Sequence, residues 1–131
     1  MDAPKQIELD GATVRLREDS ILHIAIAANA VITVELVQAM HAAADQLRDV
    51  PHPVLTDIRT MRGTSILTLR RTAGSDIASM ITRMAILVGS PVSRMIGNVM
   101  MGLAKPPYPT RTFLDEDEAA AWLLAGSEET T

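Results

Sequence analysis

The chain contains no cysteine, and its only aromatic residues are one Trp, one Tyr and one Phe. Without cysteine there is no disulfide framework, no thiolate metal site and no cysteine nucleophile. Aromatics at 2% against 47% hydrophobic residues mean that a core has to be filled by Ile, Leu, Val, Ala and Met. No apolar run approaches the roughly 18–20 residues of a membrane span. The opening MDAPKQIELD is acidic and polar, unlike a secretory leader. A cytoplasmic protein is therefore expected. Acids are also scarce in one region. Between Ile58 and Arg111 stand Arg59, Arg62, Arg70, Arg71, Arg83, Arg94, Lys105 and Arg111 against a single acid, Asp76, although the whole chain carries a net charge of −4. A basic middle can attract an anion; it can equally be a set of arginines on a solvated surface. Nucleic acid is not expected as a partner, because the overall charge is negative and no stacking aromatics accompany the arginines.

What is present is a clear alternation of elements. A chain of 131 residues can bury one core, so a single domain over 1–131 is expected, its core at about 6–125 and a frayed tail at 126–131. Asp10-Gly11 signals a two-residue hairpin turn of type I′, which wants positive φ at both positions. It sets Leu9 opposite Ala12 and Ile7 opposite Val14. The turn at Glu18-Asp19-Ser20 then pairs Leu16 with Leu22, Val14 with Ile24 and Arg15 with His23. Both turns put Ile7, Leu9, Val14, Leu16, Leu22, Ile24 and Ile26 on one face, which is the pattern of a β-meander. His23 is expected on the outward face and not as a base, since no partner is visible in the sequence.

Thr33 is placed to cap a helix running to about Val50, stopped by Pro51, with Leu36, Val37, Met40, Ala43, Ala44 and Leu47 as its core stripe. Pro53 to Ile58 reads as a short buried strand, and Ile66 to Thr82 as a helix weakened by Gly74. Met84 to Val88 is the most continuous apolar run and fits a central parallel strand. Ser90 and Pro91 then suit the N-cap and first position of a helix, whose broad apolar side is Val92, Met95, Ile96, Val99, Met100 and Leu103. Lys105-Pro-Pro-Tyr-Pro109 must run extended. Arg111 to Leu114 is an edge strand, and Asp115 with Glu118 starts a last helix docked by Ala119, Trp122 and Leu123. The fold class is α/β: a mixed sheet with an N-terminal meander followed by βα units, and about four helices largely on one face.

Candidate chemistry gathers at strand ends. Backbone N–H groups at Gly89 and Ser90, with Ser93, Arg94 and the neighbouring strand end Asp57 and Arg59, could hold a phosphate or carboxylate; capping alone also explains Ser-Pro. No histidine is singled out as a base for Ser90 or Ser93, and no nucleophile elbow or P-loop is present. An enzyme is therefore not expected. His41 and His52 lack a second ligand at metal spacing, so neither a metal nor another cofactor is assigned. Gly97 and Met101 share a side of the Met-rich helix with Arg94 and Asn98, which suits a partner- or lipid-facing patch, while Met residues also fill cores.

Pro53-Val-Leu-Thr-Asp57-Ile58-Arg59, Ala85-Ile-Leu-Val-Gly-Ser-Pro-Val-Ser-Arg94, Asn98-Val-Met-Met-Gly-Leu, Lys105-Pro-Pro-Tyr-Pro-Thr-Arg111 and Glu118-Ala-Ala-Ala-Trp122-Leu together resemble the SpoIIAA-like proteins. These belong to the superfamily of STAS domains (sulfate transporter and anti-sigma factor antagonist) and lipid-binding Sec14 domains. The likeness covers about Gly11 to Leu124 and is nearest to small actinobacterial proteins of this type. It implies a non-enzymatic regulatory or protein-interaction module with a protein partner; self-association through a sheet edge or the Met-bearing helix, a homodimer favoured, is a further and compatible expectation. The alternative it implies is a module binding a small apolar or anionic ligand at Gly89–Arg94. One departure is plain. The Asp-Ser-Ser-Gly turn of anti-sigma factor antagonists, whose serine is phosphorylated, is replaced by Arg59-Thr-Met-Arg-Gly-Thr64-Ser65. Phosphate on Thr64 or Ser65 would add about −1.5 to −2 charges beside several arginines; ordinary loop chemistry accounts for the same residues.

Overall fold

A computed structural model describes residues 5–48, 50–64, 80–99, 101–102 and 108–129. The expected helix at Ile66–Thr82 lies outside them up to residue 79, as do Ser65, Met100, Leu103 and Lys105. At its far end the expectation fails: Ile81 and Thr82 already belong to a strand.

The chain starts with strands β1 (Gln6–Leu9), β2 (Ala12–Leu16) and β3 (Leu22–Ile26). Their antiparallel register pairs Leu9 with Ala12, Ile7 with Val14, Val14 with Ile24, Arg15 with His23 and Leu16 with Leu22. The meander and its single apolar face are as the alternation required. The first turn is not of type I′, however, because only Gly11 of the two turn residues takes a positive φ, +102°.

Then follow β4 (Val31–Ile32), helix α1 (Val34–Leu47), β5 (His52–Asp57), β6 (Gly63–Thr64), β7 (Ile81–Leu87), helix α2 (Pro91–Val99), β8 (Thr110–Phe113) and helix α3 (Glu116–Glu129). Thr33 caps α1, its Oγ1 accepting from the Leu36 N–H at 3.1 Å. Asp115 caps α3 through Oδ2 and the Glu118 N–H at 3.2 Å. The helix continues past Gly126 to Glu129, where a frayed tail was expected.

Six strands form one sheet in the order β1-β2-β3-β5-β7-β8, antiparallel through β3 and parallel from there on. β4 and β6, which no alternation announces, make a separate two-stranded parallel pair. The strands record what covers them. β3 alternates buried and half-buried residues, whereas Met84 to Val88 are all buried, because the described helices clad both sides of the sheet only over its parallel half.

One core joins Val14, Leu22, Ile24, Val54 and Ile86 to Val37 and Met40 of α1 and to Ile96 of α2. A second, on the opposite face, joins Leu55, Ala85, Leu87 and Phe113 to Ala119, Ala120 and Leu123 of α3. Full burial of Leu123 alone is worth about 1.5–3 kcal/mol. Two of the three described helices thus share a face and the third covers the other. The Arg83 guanidinium further fastens α3, lying 4.6 Å from the Trp122 ring centroid and donating to the Trp122 carbonyl at 2.8 Å. No described helix is long and apolar enough to cross a membrane.

Candidate functional site

The turn from β7 into α2 is closed by two serines. Ser90 caps the helix: its Oγ accepts from the Ser93 N–H at 3.0 Å, and its carbonyl accepts from the Arg94 N–H at 3.0 Å. Ser93 reaches back. Its Oγ, fully buried, accepts from the N–H groups of Gly89 and Ser90, each at 2.9 Å, and donates to the Ser90 carbonyl at 3.0 Å. The Ser90 hydroxyl also lies 3.0 Å from it. An anion on this turn would need those same N–H groups, and they are already satisfied inside it.

Asp57 and Arg59 do reach the same place as Gly89. The β5–β7 pairing brings the two strand ends together, with the Ile58 N–H donating to the Leu87 carbonyl at 3.0 Å. The Arg59 stem packs on Gly89, where an added Cβ would stand 3.4 Å from Arg59 Cγ. Its head grips Asp57 through Nε to Oδ1 at 3.0 Å and Nη2 to Oδ2 at 2.7 Å, and its N–H also donates to Oδ1 at 3.0 Å. Burial pushes the Asp57 carboxyl up, but these bonds outweigh it and hold the group below the ordinary carboxylate value.

A charged network continues from there across the part of the sheet that no described helix covers. Glu116, at the start of α3, stands 3.9 Å from Arg59 and 3.7 Å from Arg17, and Arg17 pairs with Asp19 at 2.9 Å. His23 lies beside it, Nδ1 3.3 Å from Arg15 Nη2. Burial lowers the His23 pKa, with Glu116 opposing. His23 Nε2 and Arg17 Nη1 are closed off without a hydrogen-bond partner among the described residues. The network flanks an open cleft of about 660 Å³ that Arg15, Arg17, Asp19 and Glu116 help to line.

Arg94 is directed elsewhere. With Asn98 of α2, Arg111 and Phe113 of β8 and Glu118 of α3 it lines a second cleft, of about 450 Å³, at the far edge of the sheet. The expected partner-facing pair on α2 also separates. Gly97 is buried against the sheet, where a Cβ would meet Thr112 Cγ2 at 3.1 Å and Val88 Cγ1 at 3.2 Å. Met101 is exposed. The supposed core side of the helix separates too: Met95 is 60% exposed and Val92 lies outward, while Ser93, Ile96 and Gly97 face in. Thr64 donates its hydroxyl to the Ile32 carbonyl at 2.9 Å in the β4–β6 pair. His52, buried, is held by Nδ1 to the Val50 carbonyl at 2.8 Å. Among the described residues no group of three or more His, Cys, Asp or Glu side chains is placed to hold a metal.

The mixed sheet, its meander and the cladding helices match a crystal structure from Shewanella loihica PV-4, an uncharacterised protein of the DUF3478 family with a SpoIIAA-like fold. The TM-score is 0.61 at 18% identity, over 94% of this chain and 98% of that one. The fold is SpoIIAA-like. A family model described as a domain of unknown function, DUF7793, matches residues 15–125. The chain belongs to the DUF7793 family. No curated protein matches it significantly. Within this DUF7793 chain, Arg17 and Glu116 are the cleft residues that the sequence does not single out, while His23, Asn98 and Arg111 are visible in it without a site to join. The signals that place those three are local: the hairpin register sets His23 beside Arg15, helical spacing sets Asn98 beside Arg94, and Arg111 and Phe113, two apart in an edge strand, necessarily share a face.

Proposed function

We propose that the chain is a regulatory or protein-interaction module of the STAS type, working through a protein partner in the cytoplasm, and not an enzyme. The observation that carries this reading is how the reactive groups are employed. Ser93 is buried and satisfies two backbone N–H groups, and Asp57 is held by three hydrogen bonds from Arg59. Side chains so engaged hold strand ends in register; a nucleophile or general base needs a free lone pair facing a substrate. An affinity-tagged chain expressed at its natural level, purified from the cells it comes from and quantified by mass spectrometry, is expected to retain one regulator or kinase-like protein. Absence of any specific partner across several growth conditions refutes the reading.

Self-association as a dimer belongs to the same proposal, and a concentration-independent monomer in sedimentation removes it. A switch by phosphate on Thr64 would have to break the bond to Ile32, so its expected effect is to loosen the β4–β6 pair. The second reading, an anionic ligand on the Gly89–Arg94 turn, ranks lower because it must displace bonds the turn makes for itself. Thermal shift with lipid and nucleotide panels tests it, and a stabilisation lost in Ser90→Ala would favour it.

A further inference from the structure

Among the described residues the last strand of the sheet leaves one edge open, and its polarity is defined. The carbonyls of Pro109, just before β8, and of Phe113 accept from the N–H groups of Met84 and Val88, both at 2.9 Å. Alternation along a strand then turns the N–H and C=O of Thr110 and Thr112 outward, and no described strand lies beyond them. The 450 Å³ cleft runs along this edge and is lined from both faces of the sheet. Arg94 and Asn98 come from α2, which covers one face. Arg111 and Phe113 point to the face that α3 covers, the register pairing Arg111 with Ala85 and Phe113 with Leu87 of the second core. Among the described residues neither arginine has a carboxylate within 4.0 Å, although Arg17 and Arg59 both do. Arg111 lies over the Phe113 ring, 5.1 Å from the centroid. Glu118 also lines the cleft, leaving it with a net positive charge.

We infer that this edge receives an extended peptide segment carrying neighbouring acidic residues, paired as an added strand to Thr110 and Thr112. A compact ligand would sit on one side of the sheet. A strand laid along the edge projects its side chains alternately to both sides. One carboxylate then meets Arg94 and Asn98 while the next meets Arg111, and an apolar residue two further on covers Phe113 and the exposed Leu114. This deepens the interaction reading by naming a surface and a partner chemistry for it. An open edge is otherwise an aggregation hazard, and here the charges select what pairs with it.

The test uses the full chain and a fluorescein-labelled octapeptide of Thr and Val with two adjacent Glu residues, followed by anisotropy. Binding is expected, weakened roughly tenfold or more when Lys replaces both Glu residues and when alternate amides are N-methylated to remove main-chain donors. Arg94→Glu and Arg111→Glu are each expected to weaken it about tenfold, with unchanged thermal midpoints because both side chains are exposed. Lys5→Glu, the same charge change at the opposite edge, leaves binding unaltered. Equal binding of the N-methylated peptide would show an anion pocket and overturn strand addition. So would no binding of the acidic peptide, or displacement by a second copy of the chain in place of the peptide. Retention of a cellular partner by the Arg94→Glu, Arg111→Glu double variant would sink this edge while leaving the interaction reading standing.

Discussion

Replacing Ser93 by Ala should be more damaging than replacing the helix cap beside it. In the folded chain one buried oxygen, Ser93 Oγ, serves the N–H groups of both Gly89 and Ser90. A buried donor left unpaired costs about 1–3 kcal/mol. Gly89 is exposed and water can reach its amide, so the lower end applies there; Ser90 is half-buried and lies nearer the middle. Alanine recovers about 0.5 kcal/mol in helix propensity. The balance for Ser93→Ala is a loss of about 2–3 kcal/mol. Ser90→Ala removes one capping acceptor and should lose about 1 kcal/mol. With a urea m-value near 1.5 kcal/mol/M, the midpoints should fall by about 1.5–2 M and about 0.7 M respectively, at unchanged m. The double variant should lose less than the sum, because the two hydroxyls share bonds. A Ser93→Ala midpoint at or above that of Ser90→Ala would refute the argument that Ser93 closes the turn.

Gly97→Ala sets a helix gain of about 1 kcal/mol against a Cβ crowded by two stiff β-branched side chains, Val88 and Thr112. Overpacking costs about 1–3 kcal/mol, so a net loss of about 0–2 is expected by urea titration, and Gly97→Leu should exceed about 3 kcal/mol. Ile86→Ala, at a fully buried position in the first core, should cost about 2–5 kcal/mol in the same assay. Burial lowers the pKa of His23, His41 and His52 from 6.5. The unfolded chain therefore takes up protons first, and stability present above pH 6.5 should fall as pH drops through 6.5 towards the folded values. Urea midpoints between about pH 7.5 and pH 5 should show this, and a flat profile contradicts it. Asp57, lowered from 3.8, adds stability that is lost only as pH falls below that value.

Much of the fold was legible because its signals are local. Period-two alternation and two turns were enough for the meander register down to Arg15 opposite His23. Thr33, Ser90 and Asp115 announced three helix starts, since a cap is chemistry between residues two or three apart. The site was legible only in parts. Asp57, Arg59 and Gly89 were brought together by the expected parallel pairing of their strands. Arg94 lines a different cleft, and its neighbours in sequence say nothing of its direction from the helix. Gly97 was read as a surface residue for the same reason: helical spacing gives the angle between residues but not which side the sheet lies on.

By itself, and apart from its likeness to SpoIIAA-like proteins, the amino-acid sequence determined the types and most ends of the elements it announced among the described residues, and the register of the first three strands. Hydrogen bonds and side-chain periodicity within short stretches carry that information. The tertiary structure alone decided that α3 covers the face opposite α1 and α2. It alone decided that Glu116 stands between Arg17 and Arg59, and that Arg94 and Arg111 line one open edge. These depend on where separately stable elements pack, a choice made by the total apolar surface buried and not by any run of neighbouring residues.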